Sequence, residues 1–247
     1  MFFCYSSIMI ETGLLLDGMR LVVGVIILSY ASYTDIKTRR ASNMLWLIMG
    51  IIGALLLLVQ YLTIGFSNVY YLAFIPIMIG LMYVLFQLRL IFGGADAKAL
   101  MAIAILAPIE PAILQFPLWK GSPMPLSWII FANAIILFLF IPLSLLIFNL
   151  ARRDIAFPHC LLGYKMSIKN AKETFVWPLE KLVDGKRKFS YMPKDFDVTE
   201  ELESFEQQGI TDIWVTPKIP FMLPLLAGFI FSFVFGDILF HFMYSVI

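Results

Sequence analysis

The chain has little charge for its length and few residues that bind metals or form disulfides. Only 14% of its 247 residues are charged, and it contains two cysteines and two histidines. No CxxC pair occurs, so a structural zinc site is not expected. The G-x-S-x-G and H-E-x-x-H motifs are also absent. Their absence excludes the most recognisable serine and zinc hydrolase mechanisms.

Apolar residues make up most of the chain. Hydrophobic residues account for 61% of it, and the mean hydropathy is +0.89. These values are typical of an α-helical polytopic membrane protein. A spanning helix needs roughly 20 apolar residues, because every backbone group must be paired inside the bilayer. Six stretches meet this need: Gly18–Thr34, Met44–Leu62, Val69–Leu90, Ala97–Ile113, Ser127–Leu150 and Ile219–Val246.

Basic residues predict the orientation of these spans, because cytoplasmic loops carry an excess of Lys and Arg. All of them except Arg20 and Lys120 fall on one side of the six predicted spans. We therefore expect a multi-pass protein of the cytoplasmic membrane with both termini outside. Cys4 and Cys160 would lie on opposite sides and could not pair. The net charge of +1 and the lack of a basic stripe argue against nucleic-acid binding.

Two aspartates lie where apolar runs meet basic or glycine-rich loops. Asp35 follows the first predicted span, and Asp96 precedes the fourth. An ionisable group at a membrane boundary is costly, so it suggests a functional site, although it can also be a solvated interfacial residue or a helix cap. The predicted topology places both carboxylates at the same cytoplasmic depth. Two carboxylates that share a proton can activate a water molecule, as in aspartic proteases.

The residues around these aspartates resemble a known family. Asp35 is followed eight residues later by Asn43 with basic residues between them, and the segment Gly93–Lys98 reads GGADAK at the start of an apolar helix. This pattern resembles the GxGD membrane aspartic proteases of the prepilin peptidase group, most closely the archaeal preflagellin peptidases. The resemblance implies Asp35 and Asp96 as the catalytic pair, with no metal and no cofactor. Ala95 stands where the family has its second glycine, so the shape of this loop is expected to differ.

Four neighbours are candidates for substrate binding or loop support. Gly93 and Gly94 would let the chain turn into the fourth span and let a substrate backbone approach Asp96, or they form a simple loop before a helix. Lys98 could keep one carboxylate ionised, but a boundary lysine that reaches to the interface explains it better. Asn43 could orient Asp35, although a helix N-cap is the simpler interpretation.

The segment 151–216 differs from the rest of the chain in composition. It contains eleven acidic and ten basic residues, which predicts a small soluble α+β domain between spans five and six. The Asp184-Gly185 dipeptide predicts a hairpin turn, and Asp197 and Gly209 would begin and end a helix. The predicted organisation is an N-terminal extension at 1–17, a five-helix membrane region at 18–150, this domain, and a last span at 217–247.

The resemblance also implies an activity and a substrate. It indicates an endopeptidase that removes the short leader peptide of preflagellin or other class III signal-peptide precursors at the cytoplasmic face of the bilayer. The bifunctional bacterial members of the group carry a cysteine-rich zinc insert after the first span, whereas this chain has nine residues there. We therefore expect no methyltransferase activity. Two alternatives remain open at this point: a proton- or ion-coupled transporter, and a noncatalytic filament-assembly factor.

Overall fold

A computed structural model describes the backbone of residues 2–66, 69–88, 90, 93–183, 185–190, 199–217 and 220–246, with side chains from residue 10 onward. The chain divides into two compact units. The first comprises Met1–Phe138 together with Pro220–Ile247, and the second is Leu139–Ile219. The second unit is thus an insert in the sequence of the first.

Helices build the first unit. In chain order they are α1 (Phe2–Thr38), α2 (Asn43–Thr63), α3 (Tyr70–Gln87), α4 (Gly94–Leu106) and α5 (Leu126–Ala151), which continues into the second unit. Among the described residues, four stretches are long and apolar enough to cross a membrane: Ile10–Thr38 and the whole of α2, α3 and α5. The expected membrane protein with several apolar spans is confirmed to this extent.

The first and fourth predicted spans differ from the helices observed. Helix α1 begins at Phe2 and not near Gly18, so the residues of the predicted N-terminal extension continue the same helix. Helix α4 ends at Leu106 and not at Ile113, because Pro108 cannot donate a backbone hydrogen bond. Its 13 residues extend about 20 Å, less than the roughly 30 Å of a hydrocarbon core.

Helix α4 is the central packing element of the first unit. It contacts α2 and α3, and most of its residues are buried all round, which is typical of a helix surrounded by protein. Its alanines let the neighbouring backbones come close. A Cβ on Gly53 of α2 would lie 2.7 Å from the Cα of Leu106. The position of α4 is therefore fixed by contact between backbones.

The second unit is a small α+β structure. It contains α6 (His159–Leu162), β1 (Tyr164–Ser167), α7 (Ile168–Glu173), β2 (Val176–Pro178), β3 (Glu180–Val183), β4 (Lys186–Phe189), α8 (Thr199–Gln207) and β5 (Asp212–Pro217). Strands β1, β5 and β2 form an antiparallel sheet in that order, and β3 pairs with β4 in an antiparallel hairpin. The predicted α+β fold is confirmed.

Two glycines of this unit adopt the turn conformations that the sequence predicts. Gly185 has a φ of +71° beside the pairing of Val183 with Lys186, as the predicted hairpin requires. Gly209, also at φ +71°, follows the end of α8. Asp184 and the predicted cap Asp197 lie outside the described residues.

The core of the second unit is one buried cluster drawn from α7, α8 and β5. It contains Ile168 of α7, Leu202 and Phe205 of α8, and Ile213 and Val215 of β5. A separate group surrounds His159, whose ring lies 5.5 Å from that of Trp214. Burial lowers the pKa of His159, and the nearby Glu180 carboxylate opposes that shift.

The last predicted span is interrupted. The chain after Pro220 forms α9 (Met222–Val234) and α10 (Ile238–Val246), and Gly236 between them has a φ of +100°. A continuous span over Ile219–Val246 is therefore wrong. The amide of Asn133 stabilises the break, because it donates to the Gly236 carbonyl at 2.8 Å and accepts from the Ile238 N–H at 3.2 Å.

Asp237 lies beside this break and has a structural role. Its carboxylate accepts hydrogen bonds from the Ser122 hydroxyl at 2.7 Å and from the Phe240 N–H at 3.1 Å. It therefore caps the start of α10 while it is itself buried. Its two protein donors satisfy the carboxylate, so no relay partner is needed to account for this acid.

The close approach of α2 to α4 generates a stability prediction. We expect Gly53→Ala to destabilise the protein by about 1–3 kcal/mol, because the added methyl group would meet the α4 backbone and force the helices apart. The matched control is Gly80→Ala in α3, where nothing lies within 4 Å of the added atom. Thermal unfolding of detergent-solubilised protein, followed by circular dichroism, measures both variants. Equal midpoints for the two would contradict the packing described.

Candidate active site

Asp35 lies in the last turn of α1, about half-exposed. One turn earlier, the buried hydroxyl of Ser32 donates to the backbone carbonyl of Met222 at 3.0 Å and fastens α1 to the start of α9. Arg39 ends the helix with a φ of +55°, and its backbone N–H donates to the Asp35 carbonyl at 3.0 Å. The Arg39 side chain also interacts electrostatically with the Asp35 carboxylate.

Asp96 lies in the first turn of α4 and is half-buried. A negative charge is favourable there, because the free N–H groups of a helix start carry partial positive charge. The following residues, Ala97, Ala99 and Leu100, are buried in the core. Asp96 is therefore held by the best-packed helix of the unit.

The structure brings Asp35 and Asp96 together. Helices α1 and α4 contact each other, and the two carboxylates are close enough to interact electrostatically. One belongs to the C-terminal end of its helix and the other to the N-terminal end of its own. Two acids separated by 61 positions in the sequence are thus brought near each other.

Gly93 is needed for the space that the Asp96 side chain occupies. It is the N-cap of α4 with φ −86° and ψ 108°, a conformation open to any residue. A Cβ at this position, however, would collide with an Asp96 carboxylate oxygen and lie 2.7 Å from the carboxyl carbon. The absence of a side chain at Gly93 therefore leaves room for the Asp96 carboxylate.

Gly94 and Ala95 are the first two residues of α4. A Cβ on Gly94 would meet only the Phe86 ring, at 3.4 Å. Because Ala95 is helical and packs against the core, an alanine suits this position. The missing second glycine of the family pattern therefore does not disturb the backbone.

Lys98 and Asn43 contact each other. The Lys98 ammonium donates to the Asn43 side-chain oxygen at 2.9 Å, which ties the segment after Asp35 to the helix of Asp96. Asn43 is not the N-cap of α2. Ser42 is the cap, and its hydroxyl accepts from the Met44 N–H at 3.3 Å.

Sequence reasoning missed the parts of the site that depend on tertiary contacts. Ser32, Ser42 and the left-handed conformation of Arg39 were not singled out. Ser42 directly before an apolar helix is a recognisable N-cap pattern, whereas the contact of Ser32 with Met222 joins residues 190 positions apart. Within the described part of the chain, no three His, Cys, Asp or Glu side chains converge as a metal site would require.

Comparison with known proteins identifies the family of this chain. The family model described as the type IV leader peptidase family matches residues 22–150, more than half of the chain, and that region contains both aspartates. The chain therefore belongs to the type IV leader peptidase family and is a membrane peptidase. A second model, archaeal peptidase A24 C-terminus type II, matches residues 156–238.

Curated relatives match this chain over most of its length. A preflagellin peptidase of Methanococcus voltae is 27% identical over 234 residues, which cover 87% of this chain and 94% of the relative. A preflagellin peptidase of Methanococcus maripaludis is 24% identical, over 90% of this chain and 97% of the relative. A preflagellin peptidase of Methanocaldococcus jannaschii is 23% identical, over 87% of this chain and 93% of the relative. The similarity thus extends over both units.

The absence of a side chain at Gly93 leads to a prediction that tests whether the role of this glycine is steric. We expect Gly93→Ala to reduce kcat at least about tenfold, because the added methyl displaces the Asp96 carboxylate and small displacements of reacting groups are costly. Gly94→Ala, one position further on, should stay within about twofold of the wild type, since surface changes without new clashes have small effects.

Both variants are compared with the wild type on one leader-peptide substrate, at matched levels of folded protein. A Gly93→Ala enzyme that cleaves as fast as Gly94→Ala would contradict the steric role.

Proposed function

We propose that this chain is an aspartic endopeptidase of the membrane boundary that removes the leader peptide of preflagellin or of related class III signal-peptide precursors. The observation that carries the proposal is the meeting of Asp35 and Asp96 at two helix ends. The names of the curated relatives support the substrate. Their similarity covers most of both chains, so the support extends beyond a shared motif.

The chemistry follows from two carboxylates at close range. Like charges oppose each other, so the pair holds one proton between them near neutral pH. The ionised member removes a proton from a bound water, which attacks the peptide carbonyl, and the protonated member donates to the carbonyl oxygen or the leaving amine. The two acids titrate as a coupled pair, and their roles are properties of that pair.

Neighbouring side chains hold this pair in position. Lys98 and Asn43 connect the helix of Asp96 with the segment after Asp35, and Gly93 leaves room for the Asp96 carboxylate. The substrate must be unwound locally, because a helical amide is protected by its own hydrogen bonds.

The proposed topology places the site at the cytoplasmic face. Six membrane-embedded segments are formed by the four long apolar helices, by α4, and by α9 with α10, and both termini lie outside. Helix α4 is largely enclosed by protein and α9 is continued by α10, so neither has to match the full thickness of the bilayer alone. The one-sided distribution of basic residues supports this orientation. A site at this depth reaches the junction of a charged leader and an apolar helix.

The two alternatives lose their support in the structure. A transporter needs ionisable groups deep in the membrane, and the acid deepest in a predicted span, Asp237, is used as a helix cap. A noncatalytic assembly factor would not require two acids to lie close together at the membrane boundary, where an ionisable group is costly. Methyltransferase activity is also not proposed, because the loop between α1 and α2 is short.

The test is cleavage of a purified preflagellin precursor by detergent-solubilised protein. We expect Asp35→Asn and Asp96→Asn each to lose at least about a thousandfold in cleavage rate, because asparagine keeps the shape but cannot exchange the proton. The control is Asp212→Asn, an exposed change at the start of β5, which should cleave normally.

Each variant is first checked for wild-type expression and thermal midpoint. If either active-site variant retains near wild-type cleavage, the two-aspartate mechanism is wrong.

A further inference from the structure

The hairpin formed by β3 and β4 carries its charges on one face. In an antiparallel pair, directly opposed residues project to the same side. Lys181 is opposite Lys188, and Val183 is opposite Lys186. These positions place the three lysines on one side of the hairpin, which we call the lysine face.

The opposite side of the hairpin packs on its own unit. Leu182 joins the core with Leu202 and Phe205, and the Phe189 ring lies 5.0 Å from that of His159. Arg187 on this side forms an ion pair with Glu180. The lysine face is consequently directed outward, with Lys186 and Lys188 exposed and Lys181 half-exposed.

The lysine face has no counter-charge within the described residues. Two other lysines of the unit are paired, Lys165 with Asp154 and Lys172 with Glu206. No described carboxylate forms an ion pair with Lys181, Lys186 or Lys188. Because like charges placed directly opposite destabilise a hairpin, the Lys181–Lys188 pair favours an anionic partner.

We propose that the lysine face binds the anionic lipid headgroups of the bilayer in which the chain is embedded. The second unit begins within α5, which is apolar enough to span the membrane, and the chain continues after it into the apolar α9. The second unit is thus joined at both ends to apolar helices, which keeps it close to the bilayer. A flat group of lysines suits a plane of phosphates, and juxtamembrane lysines are attracted to anionic leaflets.

The experiment measures lysine reactivity in the full-length protein. The chain is placed in nanodiscs of phosphatidylcholine alone or of an equal mixture with phosphatidylglycerol, and is labelled with a water-soluble amine-reactive ester. Mass spectrometry gives the rate at each lysine. Lys169 and Lys172 of α7 serve as internal references, so that no substitution is needed for the first measurement.

We expect anionic lipid to slow labelling of the lysine face at least about threefold relative to the references, and high salt to remove the difference by screening. In the variant Lys186→Gln/Lys188→Gln, labelling of Lys181 should lose its dependence on lipid. The control Lys165→Gln/Lys169→Gln removes the same charge from the second unit, leaves Lys172 as the reference, and should keep this dependence.

A uniform change at all lysines, or no change with anionic lipid, would overturn the proposal. In that case the lysines only protect the hairpin edge from pairing with other strands, or bind an acidic protein segment. None of these measurements depends on peptide cleavage, so they are independent of the proposed enzymatic function.

Discussion

The close packing of α4 is the constraint on which the site depends. Its alanines and the facing Gly53 let α2 and α4 meet at backbone distance. Such contact leaves little freedom for either helix to slide. Asp96, in the first turn of α4, is thereby held firmly, while Asp35 is positioned by α1 and its attachment to α9. A membrane protein without a strong hydrophobic force between its helices relies on this kind of steric fit.

Three aspartates of the first unit are placed where helices end or break. Asp35 and Asp96 lie at the ends of α1 and α4, and Asp237 caps α10 beside the break at Gly236. Helix ends offer backbone groups that pair with a carboxylate, so an acid is less costly there than in the middle of an apolar helix. Asp237 thus stabilises the start of a helix, whereas Asp35 and Asp96 are proposed to catalyse peptide cleavage.

Much of the site follows from the sequence, since its central pattern is local. The glycine-rich segment before an apolar run identified Asp96, and the basic loop identified Asp35. The small domain was also predictable, because Gly185 and Gly209 adopt left-handed conformations that few other residues tolerate. These features depend on neighbours in the chain.

The remaining features depend on packing, which the sequence pattern does not contain. Hydropathy treats α4 as a span, but it cannot distinguish a helix surrounded by protein from one that faces lipid. It also overlooks the break at Gly236, whose free backbone groups are satisfied by Asn133 from another helix. The steric role of Gly93 and the pairing of Lys98 with Asn43 likewise require three-dimensional positions.

The central claim is that Asp35 and Asp96 form one site in the folded protein. The most direct measurement is cross-linking of Asp35→Cys/Asp96→Cys by a short bifunctional thiol reagent, with Cys4 and Cys160 replaced by serine. The account predicts efficient intramolecular cross-linking of this pair and none of Asp35→Cys/Asp237→Cys, whose second position caps α10. Failure of the first pair to cross-link in folded protein, with both thiols shown to be reactive, would contradict the account.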